Sequence, residues 1–118
     1  RQEVMVEWSA GVRELARCPN VVVKLGGFGM RIFAFDYASR PRPPSSEALA
    51  ADARPYVQTC IEAFGVERCM FESNFPVDKG SFSYAVWWNA CKRLAQGASA
   101  SEKQALFSAT ATRVYRLG

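Results

Sequence analysis

One short segment, residues 69–78 (CMFESNFPVD), combines several polar side chains that could do chemistry. Three apolar residues open it, and Glu72, Ser73, Asn74 and Asp78 follow. A carboxylate can act as a general base on water or bind a metal ion. An asparagine cannot carry the proton, but it can orient water or donate a hydrogen bond to a developing oxyanion. The alternative is that Asn74 and Asp78 only bond backbone groups within a tight turn.

A second segment of interest contains Lys24 and three glycines, Gly26, Gly27 and Gly29. If Lys24 faces inward, it would enter a ligand site and bind an anionic substrate. If it faces outward, its stem would lie along apolar surface or its ammonium would pair with a carboxylate. The glycines let the backbone turn tightly or approach a ligand closely. They lack the spacing and the following helix of a dinucleotide-binding fingerprint, so that motif is rejected.

Each of these segments follows a short apolar run that predicts a buried β-strand. The first run is residues 20–25 (NVVVKL) and the second is residues 68–71 (RCMF). Three consecutive valines suit a strand that is buried on both faces, as in parallel sheets. In parallel α/β folds the ligand site lies at the carboxyl ends of the strands. This rule selects residues 24–30 and 72–79 as the candidate site.

Helices are predicted for most of the remaining chain. Apolar residues at helical spacing predict four of them, over residues 5–17, 52–64 and 83–96 and from residue 101 onward. Buried strands that alternate with helices are typical of βαβ units and a parallel sheet. A parallel sheet needs neighbours at its edges, and two strands do not complete one. Because the chain also begins with arginine rather than methionine, we expect an N-terminal portion to be missing.

The predicted helix starts rest on local signals. Asp52 is the expected N-cap of its helix, with Pro55 in the first turn. Ser101 and Gln104 form the pattern of a capping box. Residues 30–46, which contain RPRPPSS, resist regular structure and are predicted to form a long irregular loop.

The composition excludes several classes of protein. With 49% hydrophobic and 22% charged residues, the chain is globular rather than disordered. The net charge is +4, but the basic residues are scattered, whereas a nucleic-acid binder concentrates them. No apolar run reaches the roughly 20 residues that a membrane helix needs, and there is no signal peptide. We therefore expect a cytoplasmic protein with no nucleic-acid or membrane partner.

The cysteines do not predict a metal site. The four are Cys18, Cys60, Cys69 and Cys91, none forms a C-x-x-C pair, and the chain has no histidine. A zinc site of the usual Cys/His kind is therefore unsupported. Each cysteine lies among apolar neighbours, which favours buried, reduced thiols.

Three segments together resemble the C-terminal third of the amidohydrolase-related family of TIM-barrel hydrolases, which includes lactonases. They are residues 18–30 (CPNVVVKLGGFGM), 54–79 (RPYVQTCIEAFGVERCMFESNFPVDK) and 99–117 (SASEKQALFSATATRVYRL). The resemblance covers nearly all 118 residues, and the first two segments are its specific part. It implies an α/β fold in which residues 1–118 form a single partial domain. The two strands would be strands seven and eight of a TIM (β/α)8 barrel.

The resemblance also implies roles for the site residues. Family members usually carry a Gly-Ser/Thr-Asp-Trp-Pro type of motif after strand eight, and its aspartate is the catalytic base or a metal ligand. Here Asn74 stands at the aspartate position and Glu72 replaces the glycine. Asn74 would then orient water or substrate, and Asp78 is the candidate general base. The substrate pocket would be lined by Lys24, Gly26 and Ser73.

For the complete protein, the resemblance implies hydrolysis of a small lactone, ester or amide by activated water. The histidines of the family would precede residue 1, and a divalent metal such as zinc is the implied cofactor, although no ligand for it is assigned in this chain. The chain alone is expected to be inactive. The alternative is a non-catalytic truncated or half-barrel chain that forms a homo-oligomer or pairs with a partner, because exposed sheet edges favour association.

Overall fold

The computed structural model of the chain describes residues 2–27, 37–73, 75 and 81–115. Its helices are α1 (Gln2–Ala16), α2 (Ser46–Phe64), α3 (Tyr84–Leu94), α4 (Ala100–Gln104) and α5 (Thr110–Val114), and its strands are β1 (Val23–Leu25) and β2 (Cys69–Phe71). Short 3-10 helices span Tyr37–Ser39 and Val66–Arg68, and a π-helical turn, Ala105–Ala109, joins α4 to α5. Within the described ranges, no helix has the length and apolar character needed to cross a membrane.

The two strands pair in parallel and form a two-stranded sheet. The register places Lys24 opposite Met70. The pairing continues one residue beyond the strands, because the backbone N–H of Glu72 donates to the carbonyl of Leu25 at 3.2 Å. α2 follows β1 and precedes β2, so the predicted βαβ unit is confirmed. In the described part of the chain, each strand has one outer edge without a neighbouring strand.

Alternation of side chains gives the sheet two different faces. One face carries Leu25, Cys69 and Phe71, which are buried in the hydrophobic core with α2 and α3. The other carries Lys24 and Met70, and we call it the inner face. Met70 is 3% exposed but lies outside the core cluster, whereas Lys24 is exposed. The core that stabilises the fold therefore lies on one side of the sheet only.

α2 starts at Ser46, earlier than the predicted residue 52. The hydroxyl of Ser45 caps it by accepting a hydrogen bond from the backbone N–H of Ala48 at 3.1 Å. The predicted N-cap, Asp52, was wrong, since its carboxylate accepts a hydrogen bond from the Tyr37 hydroxyl at 2.7 Å instead. Pro55 consequently lies inside the helix rather than in its first turn.

Burial explains this extension of α2. Leu49, Ala50 and Ala53 are at most 2% exposed and pack in the core ahead of the proline. Pro55 lacks a backbone N–H, so it removes one helical hydrogen bond. An interior proline costs about 3 kcal/mol, similar to the about 1.5–3 kcal/mol that burial of one large side chain such as Leu49 contributes, and the two buried alanines add to the latter. The irregular loop, predicted over residues 30–46, thus ends one residue earlier than predicted, at residue 45.

The last helical segment starts with a different capping box from the predicted one. Ser99, rather than Ser101, is the N-cap, and Glu102 is its partner. The Ser99 hydroxyl accepts from the Glu102 N–H at 3.1 Å, and the Glu102 carboxylate accepts from the Ser99 N–H at 2.8 Å. The hydrogen bond that the carboxylate accepts from the Ser99 N–H, with a smaller effect of the Ser99 side chain, lowers the pKa of Glu102. A glutamate at this position also stabilises the positive end of the helix, which a glutamine does not.

Three of the four thiols are buried as predicted. Cys60, Cys69 and Cys91 lie in the core, and burial raises the pKa of Cys60 to about 11 and that of Cys69 to about 12. The prediction was wrong for Cys18, which is exposed. Cys18 lies just beyond the end of α1, where its backbone carbonyl accepts a hydrogen bond from Arg68. Its apolar sequence neighbours do not cover its thiol.

Arg68, the last residue before β2, joins the ends of both long helices. Its Nη2 donates to the carbonyl of Ala16 at 2.9 Å, and its Nη1 donates to those of Cys18 at 2.9 Å and Val21 at 3.4 Å. Its Nε donates to the carbonyl of Phe64 at 3.2 Å. Ala16 and Phe64 end α1 and α2, where carbonyls lack helical partners and a cation is favourable. One guanidinium thus satisfies four carbonyls from three segments.

We expect Arg68→Met to lower the free energy of unfolding by about 3 kcal/mol. The charge-assisted hydrogen bonds to four carbonyls would be lost, although the carbonyl of Cys18 would keep its bond from the backbone N–H of Val21. Arg68→Lys should recover only part of the loss, because an ammonium lacks the planar fork that reaches several acceptors. Urea denaturation of the variants measures these changes in the free energy of unfolding.

Arg17→Met is the matched control. Arg17 makes an exposed ion pair with Glu14 at 3.7 Å, so a change below about 1 kcal/mol is expected. Equal effects at both positions would contradict the assignment.

Candidate active-site edge

The carboxyl ends of β1 and β2 meet at Gly26 and Glu72. A Cβ atom at residue 26 would collide with Cγ of Glu72 and would lie 2.7 Å from its carbonyl oxygen. The next residue, Gly27, has a φ of 78°, which side chains other than glycine rarely adopt. The glycines therefore allow the two strand ends to approach each other and let β1 turn away directly afterwards.

Both backbone groups of Glu72 form hydrogen bonds. Its N–H donates to β1, and its carbonyl accepts a hydrogen bond of 2.5 Å from the indole Nε1 of Trp87 in α3. Because side chains alternate along a strand, Glu72 is on the inner face, two residues beyond Met70. Its Cγ occupies the space that Gly26 leaves empty, and its Oε1 lies 3.1 Å from the position of a Cβ there. The carboxyl group is thus directed across the end of β1.

Ser73 is half-buried next to Glu72. Its Oγ accepts a hydrogen bond from the backbone N–H of Phe75 at 3.3 Å. This bond is of the local type by which a hydroxyl stabilises a turn. A hydroxyl that accepts one hydrogen bond can still donate one. Ser73 therefore remains able to bind a ligand while it stabilises the segment after β2.

Lys24 lies on the inner face, and its side chain contacts the end of the last helical segment. Its Nζ stands 5.2 Å from the centre of the Tyr115 ring. A hydrogen bond with Tyr115 and the charge of its phenolate raise the pKa of Lys24, and the charge of Glu72 adds a smaller effect. The Thr110 hydroxyl of the same segment donates to the carbonyl of Val66, before β2, at 2.8 Å. The ammonium is therefore drawn toward the amino ends of the strands.

Asn74 and Asp78, the two predicted catalytic residues, lie outside the described residues, so their roles stay predictions. Of the predicted pocket residues, the structure brings Gly26 and Ser73 to the same strand-end edge. Lys24 shares their side of the sheet but extends away from that edge.

Two residues, Glu72 and Trp87, contribute to this edge in ways that the sequence motifs did not predict. Glu72 was among the polar groups predicted at the strand end, but no role of its own was predicted for it. Trp87 lies in the helix that was predicted over residues 83–96. Its indole N–H is the feature that matters here, and only the packing of α3 over the strand ends, which helical spacing does not reveal, brings it to Glu72.

Aromatic rings border the edge. Phe75 packs against Tyr84 with ring centroids 5.4 Å apart and against Phe82 at 6.3 Å. Phe82 in turn stacks on Trp87 at 6.0 Å. Phe82 and Trp87 are buried, whereas Tyr84 is 53% exposed. The rings hold Phe75 against α3, and Tyr84 is the exposed member of the group.

The described residues do not form a metal site. No group of three or more His, Cys, Asp or Glu side chains that could hold a metal ion occurs among them. At the strand ends they offer one carboxylate, that of Glu72, whereas zinc takes three or four protein ligands. The described part of the chain thus does not contain a complete zinc site by itself.

Comparison with known proteins defines the lineage. A model of the amidohydrolase family matches residues 2–117. The chain belongs to the amidohydrolase family, as the sequence motifs predicted. It is 43% identical over 110 residues to uncharacterised protein y4mH of Sinorhizobium fredii, and 35% identical over 118 residues to an L-fucono-1,5-lactonase of Burkholderia multivorans.

Solved structures agree with this assignment. The chain is similar to two crystal structures of an amidohydrolase from Burkholderia multivorans. One contains bound HEPES and has a TM-score of 0.84 at 31% identity over 100% of this chain; the other contains bound zinc and has a TM-score of 0.82 at 32% identity over 97%. The chain corresponds to 39% and 38% of those chains, and to 33% and 36% of the two curated relatives. It therefore spans a part of an amidohydrolase fold.

We expect Gly26→Ala to destabilise the protein by about 2–4 kcal/mol, because the new methyl group would meet Glu72 in a packed region. Thermal or urea unfolding measures the change. Gly11→Ala is the control, since nothing lies within 4 Å of a Cβ at residue 11. Gly11 is inside α1, so this variant should gain up to about 1 kcal/mol from helix propensity. A neutral Gly26→Ala variant would contradict the close approach of the strand ends.

Proposed function

We propose that this chain supplies strands seven and eight of a (β/α)8 barrel and that the complete protein hydrolyses a small lactone, ester or amide. The observation that carries the proposal is the likeness over 100% of the chain, at a TM-score of 0.84, to an amidohydrolase crystal structure. The L-fucono-1,5-lactonase relative favours a lactone among the three substrate classes. The meeting of the two strand ends at Gly26 and Glu72 supports a site there, since barrel enzymes react at that face.

In the proposed reaction, a water oxygen attacks the carbonyl carbon of the substrate. Asp78, as the general base, takes a proton from that water, and Asn74 orients the water or the substrate. The bond from the carbonyl carbon to the ring oxygen then breaks, and the departing alkoxide takes up the proton. Gly26 and Ser73 line the pocket at the strand ends; Lys24, also proposed as a pocket residue, lies on the same face but extends away from that edge. A related crystal structure contains zinc, and a divalent metal such as zinc is the proposed cofactor of the complete protein; no ligand for it and no step through it is assigned in this chain.

Asn74→Ala in the full-length protein should lower kcat/KM for hydrolysis of a sugar lactone at least tenfold, which corresponds to about 1.4 kcal/mol of transition-state stabilisation. The measurement is the release of acid from the lactone under pH-stat conditions. Asn89→Ala is the matched control, because Asn89 is exposed on α3. Unchanged kinetics of Asn74→Ala would remove Asn74 from the mechanism, and a wild-type protein without hydrolase activity would overturn the proposed function.

A second candidate function is a non-catalytic chain that pairs with another copy or with a partner. The outer edges of β1 and β2 favour it, since unpaired strand edges invite pairing. Tyr84 and Phe107, at 53% and 37% exposure, add apolar surface. Under either proposal residues 1–118 form one partial domain without the walls that orient a substrate, so the isolated chain is expected to be inactive.

We expect the isolated 118-residue chain to run above its 13.1 kDa monomer mass in analytical ultracentrifugation, and the apparent mass to rise with concentration. The reason is the pairing of open strand edges. A chain that remains a monomer at high concentration would contradict self-association. A monomer that also hydrolyses lactones would contradict the proposal that the chain is an incomplete domain.

A further inference from the structure

Among the described residues that directly follow β1 and β2, Glu72 is the only charged one. The others are Gly26, Gly27, Ser73 and Phe75. Among the described residues, the fixed negative charge that a ligand at the strand-end edge would meet is therefore that of Glu72. An ionised carboxylate is an acceptor only, with two oxygens that each take up donated hydrogen bonds.

The position of the Glu72 carboxylate is determined by several contacts. Two backbone hydrogen bonds, to Leu25 and from Trp87, fix Glu72 at the end of β2. The absence of a side chain at Gly26 provides the space into which its stem extends. A long side chain on a free loop would sample many positions, whereas these contacts restrict the carboxylate to the edge between the strands.

The nearest described cation on the same face does not form an ion pair with this charge. The nitrogen of Lys24 lies over the Tyr115 ring. The one ion pair within 4.0 Å in the described part of the chain is that of Arg17 with Glu14, on the surface of α1. No hydrogen bond or ion pair between described residues uses the Glu72 carboxylate, so within the described part of the chain it is available to a ligand, with Lys24 acting on it as a more distant charge.

We propose that Glu72 sets the charge selectivity of the site: it favours uncharged, hydroxyl-bearing substrates over those that carry a carboxylate at the same place. This inference rests on the proposed lactone hydrolysis. A substrate hydroxyl can donate a hydrogen bond to the carboxylate, whereas an anionic group would face an unbalanced like charge. Specificity of this kind comes from repulsion of the wrong substrate as well as attraction of the right one.

Two lactones with the same ring test the inference in the full-length protein. One is galactono-1,4-lactone, and the other is galactaric acid 1,4-lactone, in which a carboxylate replaces the terminal hydroxymethyl group. The wild type should have a kcat/KM for the neutral lactone at least tenfold above that for the anionic one. Raising the salt concentration to 1 M should narrow this ratio, because the screening length falls from about 10 Å to about 3 Å.

Glu72→Gln keeps the shape of the side chain and its packing against Gly26 but removes the charge. It should lower the ratio of kcat/KM for the neutral lactone to kcat/KM for the anionic lactone about tenfold, mainly by improving turnover of the anionic lactone. Glu72→Asp, which keeps the charge, should preserve most of the ratio. Glu62→Gln is the matched control, because Glu62 lies on the outer side between α1 and α2, and it should leave the ratio unchanged.

The outcomes separate the two proposals. A wild type that hydrolyses neither lactone overturns the proposed function and this inference with it. A wild type that is active but prefers the anionic lactone, or a Glu72→Gln variant with an unchanged ratio, overturns the inference alone. An equal loss of turnover for both lactones in Glu72→Gln also overturns it, because the ratio would not have moved. A purely structural role for Glu72 would likewise give no change with salt.

Discussion

The guanidinium of Arg68 is the interaction on which the arrangement of the elements depends. It binds carbonyls at the end of α1, in the connection to β1 and at the end of α2. β2 starts at the residue after it. The position of β2 relative to β1 is thus set by a residue at the amino end of the sheet, and the alignment of the carboxyl ends, where Gly26 meets Glu72, follows from it.

The two faces of the sheet have separate tasks. The face opposite the inner face contributes Leu25, Cys69 and Phe71 to the core, so packing determines which residues can stand there. The inner face carries Lys24, Met70 and Glu72, and two of these three are charged. Packing against α2 supports the register that Arg68 helps to set, and the register then decides which polar groups are presented together on the opposite side. The geometry of the candidate site therefore depends on the core, which it contacts through Phe75 and Trp87.

Much of the fold could be predicted from the sequence, because the strong signals are local. The valine run, the RCMF segment and the helical spacing each predicted an element that the structure contains. The start of α2 was missed because Pro55 is a conspicuous helix-starting signal, whereas the burial of Leu49 and Ala53, which extends the helix, is a tertiary effect. Ser99, rather than Ser101, is the N-cap of α4, and its capping-box partner is a single glutamate, Glu102.

The candidate site was less predictable for a related reason. Motif comparison directs attention to the position of the missing aspartate, at Asn74, and to the next carboxylate, Asp78. Glu72 acquires its place through Gly26 and Trp87, which are distant from it in sequence. Interactions of this kind leave no periodic pattern. The direction of Lys24 was open for the same reason, since it depends on where the end of the last helical segment lies.

The bond between Trp87 and the carbonyl of Glu72 has a consequence for evolution. It holds the backbone of the strand end from the helix side, without using any side chain of the inner face. Residues other than Gly26 that face a substrate can therefore be exchanged while the backbone of the strand end keeps its support from α3. A site that is held in this way can diverge toward new substrates without first losing its fold.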